Sequence, residues 1–294
     1  MRTWKRRAAL LAALALSLCL CACGGDQSSD GEWEGGFAPL ESTELEAVDN
    51  SYEDGWEFES ESDSFPPGFP LYTFSDGVLT VSGSGEVFKG GLEGGGWQQT
   101  VANATLETDS KKIDAAVEKV IIEDGITAIG HTAFFECSNL TEVTLPNSLI
   151  KIDKAAFRFT GLTSVVIPDS VTCFGEDIFA DCDNLNSITF PSNLIEMPIG
   201  IVASCPSLTS VQIPASVITF GNVWLYDTFP TELIFEGDIT IDQVPNALYD
   251  LADFKTPITV YAHSGTLIET WITQKLPELC AEKGKTCNVT FVAL

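Results

Sequence analysis

The stretch "LTSVVIPDSVTCFGEDIFADCDN", Leu162 to Asn184, decides the fold. Behind Leu162, Val165 and Ile167 alternate with outward neighbours, the period of a half-buried strand. Pro168 then removes a backbone donor and ends ladder pairing. Beyond it the strand period is lost. Phe174 stands alone, Ile178 and Phe179 follow as a pair, and Cys182 precedes the polar end. Twenty-three residues cannot enclose such side chains alone, so the unit needs copies of itself on either side.

Those copies are present. "VEKVIIEDGITAIGHTAFFECSN" from Val117 and "LTEVTLPNSLIKIDKAAFRFTG" from Leu140 come before it. "LNSITFPSNLIEMPIGIVASCPS" from Leu185 and "LTSVQIPASVITFGNVWLYDTFP" from Leu208 come after. Pro146, Pro168, Pro191 and Pro214 stop the strand at one phase. A second apolar position recurs at Ile129, Ile152, Phe174, Met197 and Phe220. An interior pair recurs at Ala133–Phe134, Ala156–Phe157, Ile178–Phe179, Ile201–Val202 and Trp224–Leu225. A period of 22 to 23 residues is that of a solenoid.

The first unit places His131, Glu136 and Cys137 close together, which invites a metal or nucleophile reading. The repeat argues otherwise. The histidine phase holds His131, Lys154, Glu176, Ile199 and Asn222, the mixture of an unconstrained surface position. The cysteine phase holds Cys137, Cys182, Cys205 and Thr228, with a shortened turn in the second unit. Cysteine recurring on successive rungs serves as a small buried side chain, and ligands spread over rungs do not converge on one metal.

These units resemble the leucine-rich repeat of BspA-type bacterial surface lipoproteins, whose unit runs Leu-Thr-x-Val-x-Ile-Pro-x-Ser-Val-Thr, then Ala-Phe and Cys. The resemblance is strong through three units and weaker in the fourth and fifth. It implies a leucine-rich-repeat solenoid of short parallel strands, turns and short helical segments. It also implies adhesion or protein binding, and supplies no catalytic residues.

Solenoid ends need caps. "LYTFSDGVLTVSG" sets Asp76–Gly77 between two alternating runs, a type I′ hairpin signal, and "DSKKIDAAVEKV" reads as a short helix. Residues 68–116 are therefore an N-terminal hairpin cap, 117–252 the repeat array and 253–294 a strand–helix–strand C-terminal cap. In the latter, Ser264 is expected to cap a helix carrying Leu267, Ile268, Trp271, Ile272 and Leu276, with Pro277 kinking or ending it. Cys280 and Cys287 flank "AEKGKT"; a secreted context permits a disulfide there, with two free thiols as the alternative.

The N-terminus indicates that context. Arg2, Lys5, Arg6 and Arg7 precede an apolar run too short to span a bilayer comfortably, the layout of a signal peptide. "LCAC", Leu20 to Cys23, resembles a bacterial lipobox. Residues 1–22 are read as the signal peptide and Cys23 as the lipidated mature terminus. Residues 23–67 form an acidic disordered tether: Gly24 to Pro67 holds fourteen acids and no base. Fully extended, it spans at most about 150 Å. "DQSSDG", Asp26 to Gly31, half-matches a calcium loop, but Phe37 stands where the closing carboxylate belongs.

The whole chain carries 42 acids against 15 bases, which disfavours nucleic acid and anionic headgroups as partners. Membrane contact would come through the lipid anchor instead. "GSGEVF" lacks the third glycine of a dinucleotide loop, "KGGLEGGGW" lacks a phosphate-cradling Lys–Ser, and no Gly-x-Ser-x-Gly elbow occurs. The reading is non-enzymatic, with no cofactor and no metal. The candidate surface is the outward face of the strands, expected to be concave: Lys119 and Ile121, Glu142 and Thr144, Ser164 and Val166, Ser187 and Thr189, Ser210 and Gln212. A protein partner bound there is the leading expectation; an envelope spacer with a merely solvated strand face is the alternative.

Overall fold

The computed structural model describes residues 69–89, 96–239 and 257–294. The signal peptide, Cys23, the tether and the calcium-loop half-match lie outside these residues.

Strands β1 (Pro70–Ser75) and β2 (Val78–Gly83) form an antiparallel hairpin. Asp76 and Gly77 at its turn take φ of 50° and 79°, as a type I′ turn requires. After β3 (Gly85–Val87) come helices α1 (Trp97–Thr105) and α2 (Ser110–Ala116). Asp109 caps α2, its side chain accepting from the Lys111 amide at 3.0 Å. Each repeat then forms one rung with two strands, the second being the shorter in every rung but the first. They are β4 (Lys119–Ile122) and β5 (Ile126–Ile129), β6 (Glu142–Thr144) and β7 (Lys151–Ile152), β8 (Ser164–Val166) and β9 (Cys173–Phe174). The next two are β10 (Ser187–Thr189) with β11 (Glu196–Met197), and β12 (Ser210–Ile213) with β13 (Thr219–Phe220). Strand β14 (Glu232–Phe235) extends the longer row past the fifth repeat.

The longer strands run β1–β2–β4–β6, then β8–β10, then β12–β14–β15–β16, all parallel apart from the hairpin. The Thr163 amide donates to the Thr141 carbonyl across the first gap, and β10 lies beside β12 across the second. The shorter strands form a second ladder, β3–β5–β7–β9 and β11–β13. This is a leucine-rich-repeat solenoid.

Between the ladders lies the core. Val120, Val165, Ile188, Val211 and Leu233 supply its strand wall, and the interior pair fills the opposite arc. Phe134, Phe157 and Phe179 are fully buried and stack rung on rung, with centroids 5.2 and 5.5 Å apart. Trp97 closes the stack at 5.8 Å from Phe134, and its indole N–H donates to the Ala133 carbonyl at 2.7 Å. Nothing in its glycine-rich approach announces helix α1; it plugs the open end of the ring column. The plug is fastened by Asp114, which accepts from Lys89 Nζ at 2.7 Å and from Gln98 Nε2 at 2.6 Å.

The arc has a repeating backbone. Thr132, Ala155, Asp177, Gly200 and Val223 adopt positive φ at one phase; Glu136, Phe159, Asp181, Ser204 and Asp227 do so at another. Non-glycine residues pay about 1–2 kcal/mol for this conformation. Hydrogen bonds to the next rung offset it: Ala155 N to Glu176 O, Phe157 N to Ile178 O and Phe159 N to Ala180 O, and likewise elsewhere.

Three local expectations need correcting. The second unit does not lose its cysteine-phase residue: Thr160 stands there, buried, and the missing residue follows it. Gly161 takes up the shortened step, where an added Cβ would lie 2.3 Å from the Ser138 carbonyl oxygen. In the C-terminal cap, strand β15 (Ile258–Ala262) leads to α3 (Leu267–Thr270), capped by Thr266 rather than Ser264. Thr266 Oγ1 accepts from the Glu269 amide at 3.2 Å, while Ser264 is exposed. Of the two outcomes expected at Pro277, kinking or ending, the ending does not occur. A π turn at Trp271–Lys275 passes into α4 (Leu276–Glu282), where Pro277 occupies the first turn and needs no N–H partner. Strand β16 (Val289–Ala293) then pairs parallel with β15.

Candidate functional site

A parallel strand shows alternate side chains to opposite faces, and in-register rungs align them in files about 4.8 Å apart. Buried Val165 and Ile188 force Ser164, Val166, Ser187 and Thr189 outward, and all four are exposed. The register pairs Ser187 with Ser164 and Thr189 with Val166. Glu142, Thr144 and Gln212 are also exposed, and Ser210 is half-buried. Val166 is an apolar member, 66% exposed, whereas Ile121 in the same file is half-buried. The N-terminal end of the strip is charged but internally paired, Lys119 Nζ lying 2.6 Å from Glu142 Oε1. At the other end Gln212 Nε2 donates to Glu236 Oε1.

The files run beyond the five repeats. Thr80 pairs with Ile121, and Ile121 with Thr144; Gln212 pairs with Ile234, and Ile234 with Tyr261. The strip therefore carries an aromatic residue, half-buried Tyr261, that the repeat pattern alone does not reveal. The alternation of "ITVYA" is the available signal: Ile258, Val260 and Ala262 point inward, so Thr259 and Tyr261 point out.

The residues that suggested chemistry separate. His131 is exposed, whereas Cys137 is fully buried, and burial pushes its thiol well above the ordinary range. Burial likewise raises the Cys182 thiol and pushes Cys205 up to about 12. These thiols work as donors. Cys182 Sγ donates to the Phe157 carbonyl at 3.2 Å, Cys205 Sγ to Phe179 at 3.1 Å and Thr228 Oγ1 to Val202 at 2.7 Å. The phase accepts cysteine or threonine because each can satisfy a carbonyl of the preceding rung inside the core. Among the described residues no group of three His, Cys, Asp or Glu side chains could hold a metal. An open hollow of about 390 Å³ lies beside the shortened turn, lined by Phe159, Gly161, Asp181 and Asp183 among others. Cys280 is buried and Cys287 half-buried, both against the same core.

The repeat units match a family model over residues 113–229, in six copies. Over those residues the chain is similar to the BspA-type leucine-rich-repeat region. Solved structures to which this chain is similar include the pneumococcal vaccine antigen PcpA, at 22% identity over 43% of this chain and 31% of that one, TM-score 0.37. A leucine-rich repeat protein from Bacteroides ovatus matches at 16% identity over 70% and 66%, TM-score 0.35. The leucine-rich repeat protein of T. pallidum matches at 18% identity over 59% and 86%, TM-score 0.35. The chain thus spans about a third of the pneumococcal antigen. No curated protein matches it. No helix among the described residues is long and apolar enough to cross a membrane.

Proposed function

We propose that this protein is a lipid-anchored, extracytoplasmic binding protein that captures a protein partner on the outward face of the longer strands. The carrying observation is the Ser164–Val166/Ser187–Thr189 patch, exposed, in register and uncharged on a chain of net charge −27. Uncharged side chains are cheaper to strip of water than carboxylates, and Val166 gives the patch an apolar centre. Tyr261 adds a residue of the type enriched at binding hot spots. Cys23 would carry the acyl chain, and the tether would set the distance of the array from the membrane. The rival reading, an envelope spacer, requires only the repeats and leaves Val166 without a role.

The test is capture by wild-type protein against the Val166→Arg/Thr189→Arg double variant. An unpaired charge buried at an interface costs about 2–5 kcal/mol, so specific capture should fall at least tenfold with thermal unfolding unchanged. His131→Arg, on the opposite arc, should capture normally. Capture that survives the double variant removes the interface from this face, and an absence of any specific partner favours the spacer.

A further inference from the structure

Of the six cysteines among the described residues, two differ in kind from the rest. Cys137, Cys182 and Cys205 sit on separate rungs inside the core, and Cys173 lies on the shorter ladder. Cys280 and Cys287 lie at one end of the core: Cys280 projects inward from α4, Cys287 packs against the same core just before β16, and burial together with the neighbouring Cys287 thiol pushes the Cys280 thiol up. The backbone holds both positions. The Lys285 amide donates to the Cys280 carbonyl at 2.8 Å, turning the chain back directly after the helix. The Ile258 amide donates to the Asn288 carbonyl at 2.9 Å, fixing the residue that follows Cys287 onto β15. Two cysteines that face one core from anchored backbone on either side of a turn are placed for a disulfide.

We propose that Cys280 and Cys287 are joined by a disulfide in the mature protein, a covalent staple of the C-terminal cap. It forms by thiol–disulfide exchange with an external disulfide, of glutathione type or of a dithiol oxidoreductase. One cysteine attacks as thiolate, giving a mixed disulfide and releasing one reduced thiol. The second cysteine then displaces the other thiol, so two cysteine protons leave and the oxidant is reduced by two electrons. The bond ties the end of α4 to the start of β16, the last strand of the longer ladder. Its presence in cells rests on the extracytoplasmic location proposed above, since reducing compartments keep such pairs open; its formation in vitro does not.

Lys283 and Lys285 stand between the cysteines, so trypsin separates them and only a disulfide keeps the fragments together. Full-length protein is reduced, placed in an oxidised/reduced glutathione buffer, alkylated and digested without reductant. The expected product is Leu276–Lys283 linked to Thr286–Leu294, two hydrogens lighter than the sum of its parts. It should be absent from Cys280→Ser. The same linked pair is expected in protein alkylated inside intact cells, and reductant should lower the melting temperature of wild type but not of Cys280→Ser/Cys287→Ser. Failure to link in the glutathione buffer, or linkage of either cysteine to a different one, overturns the pairing whatever the location. Linkage in the buffer with both thiols free in cells leaves the geometry standing and overturns the bond in the mature protein, placing the fault in the compartment.

Discussion

Replacing Phe157 by alanine tests the register of the whole array. Its ring is fully buried, with Phe134 on one side at 5.2 Å and 15° and Phe179 on the other at 5.5 Å and 9°. Emptying a buried phenylalanine site costs about 3–5 kcal/mol. Stacked pairs are worth about 0.5–1.5 kcal/mol each beyond area burial, so a ring stacked on both faces belongs near the top, about 4–5 kcal/mol. That is a large part of the roughly 5–15 kcal/mol that holds a typical domain together. Phe157→Leu, which keeps most of the volume, serves as the milder companion. His131→Ala, at an exposed phase, should stay within about 0.5 kcal/mol. Urea unfolding followed by circular dichroism reads all three. Because the stack couples neighbouring rungs, Phe157→Ala should also broaden the transition as the two halves melt more independently. A cost below about 2 kcal/mol, or equal costs for Phe157→Ala and His131→Ala, would refute the ring column as the organising core.

The buried thiols make stability fall in alkali. The Cys205 thiol is held protonated to about 12 in the fold, against about 8.5 when unfolded. Above pH ~9 the unfolded chain sheds protons that the folded one keeps, so this residue's contribution declines by about 1.4 kcal/mol per pH unit. Cys205→Thr, which copies the threonine that Thr228 supplies at the same phase, should flatten the unfolding free energy between pH 9 and 10.5 by about that slope; parallel curves for the two proteins contradict it. At the C-terminal cap, Thr266→Ala should cost about 1 kcal/mol and Ser264→Ala within about 0.5 kcal/mol, measured by thermal melts; the reverse order would restore Ser264 as the cap. Cys23→Ala should shift the protein to the soluble fraction or leave it unprocessed, and a processed variant retained in the membrane would exclude the lipid anchor.

What the sequence makes legible is what repeats. The strand phase, the proline stops and the Phe ladder are readable because five copies vote on each position, and the outward strip follows from strand alternation alone. What escapes is what occurs once. Trp97 sits behind a run of glycines, and nothing local marks it as a plug; only the demand that a ring column be closed points to it. Thr160 is hidden because a one-residue shortening can be placed before or after it by pattern, and only the buried hydroxyl, donating to Phe157 O at 2.8 Å, decides. Thr266 and Ser264 are both competent caps by type, separated by which hydroxyl reaches the Glu269 amide, as Thr266 does at 3.2 Å. Tyr261 stands in plain view within an alternating strand, but that strand lies past the last repeat, where the pattern no longer assigns it a file.

The left-handed turns of the arc give the array a direction in time. In the first three arcs the strained residues donate forward, from one rung to the carbonyls of the next: Thr132 to Lys154, Ala155 to Glu176, Asp177 to Ile199. A ribosome or an export channel delivers these rungs in the opposite sense of their need, the dependent one first and its support later. A partly emerged array therefore always ends in an arc whose strain nothing yet relieves. The chain settles only as its C-terminal portion arrives.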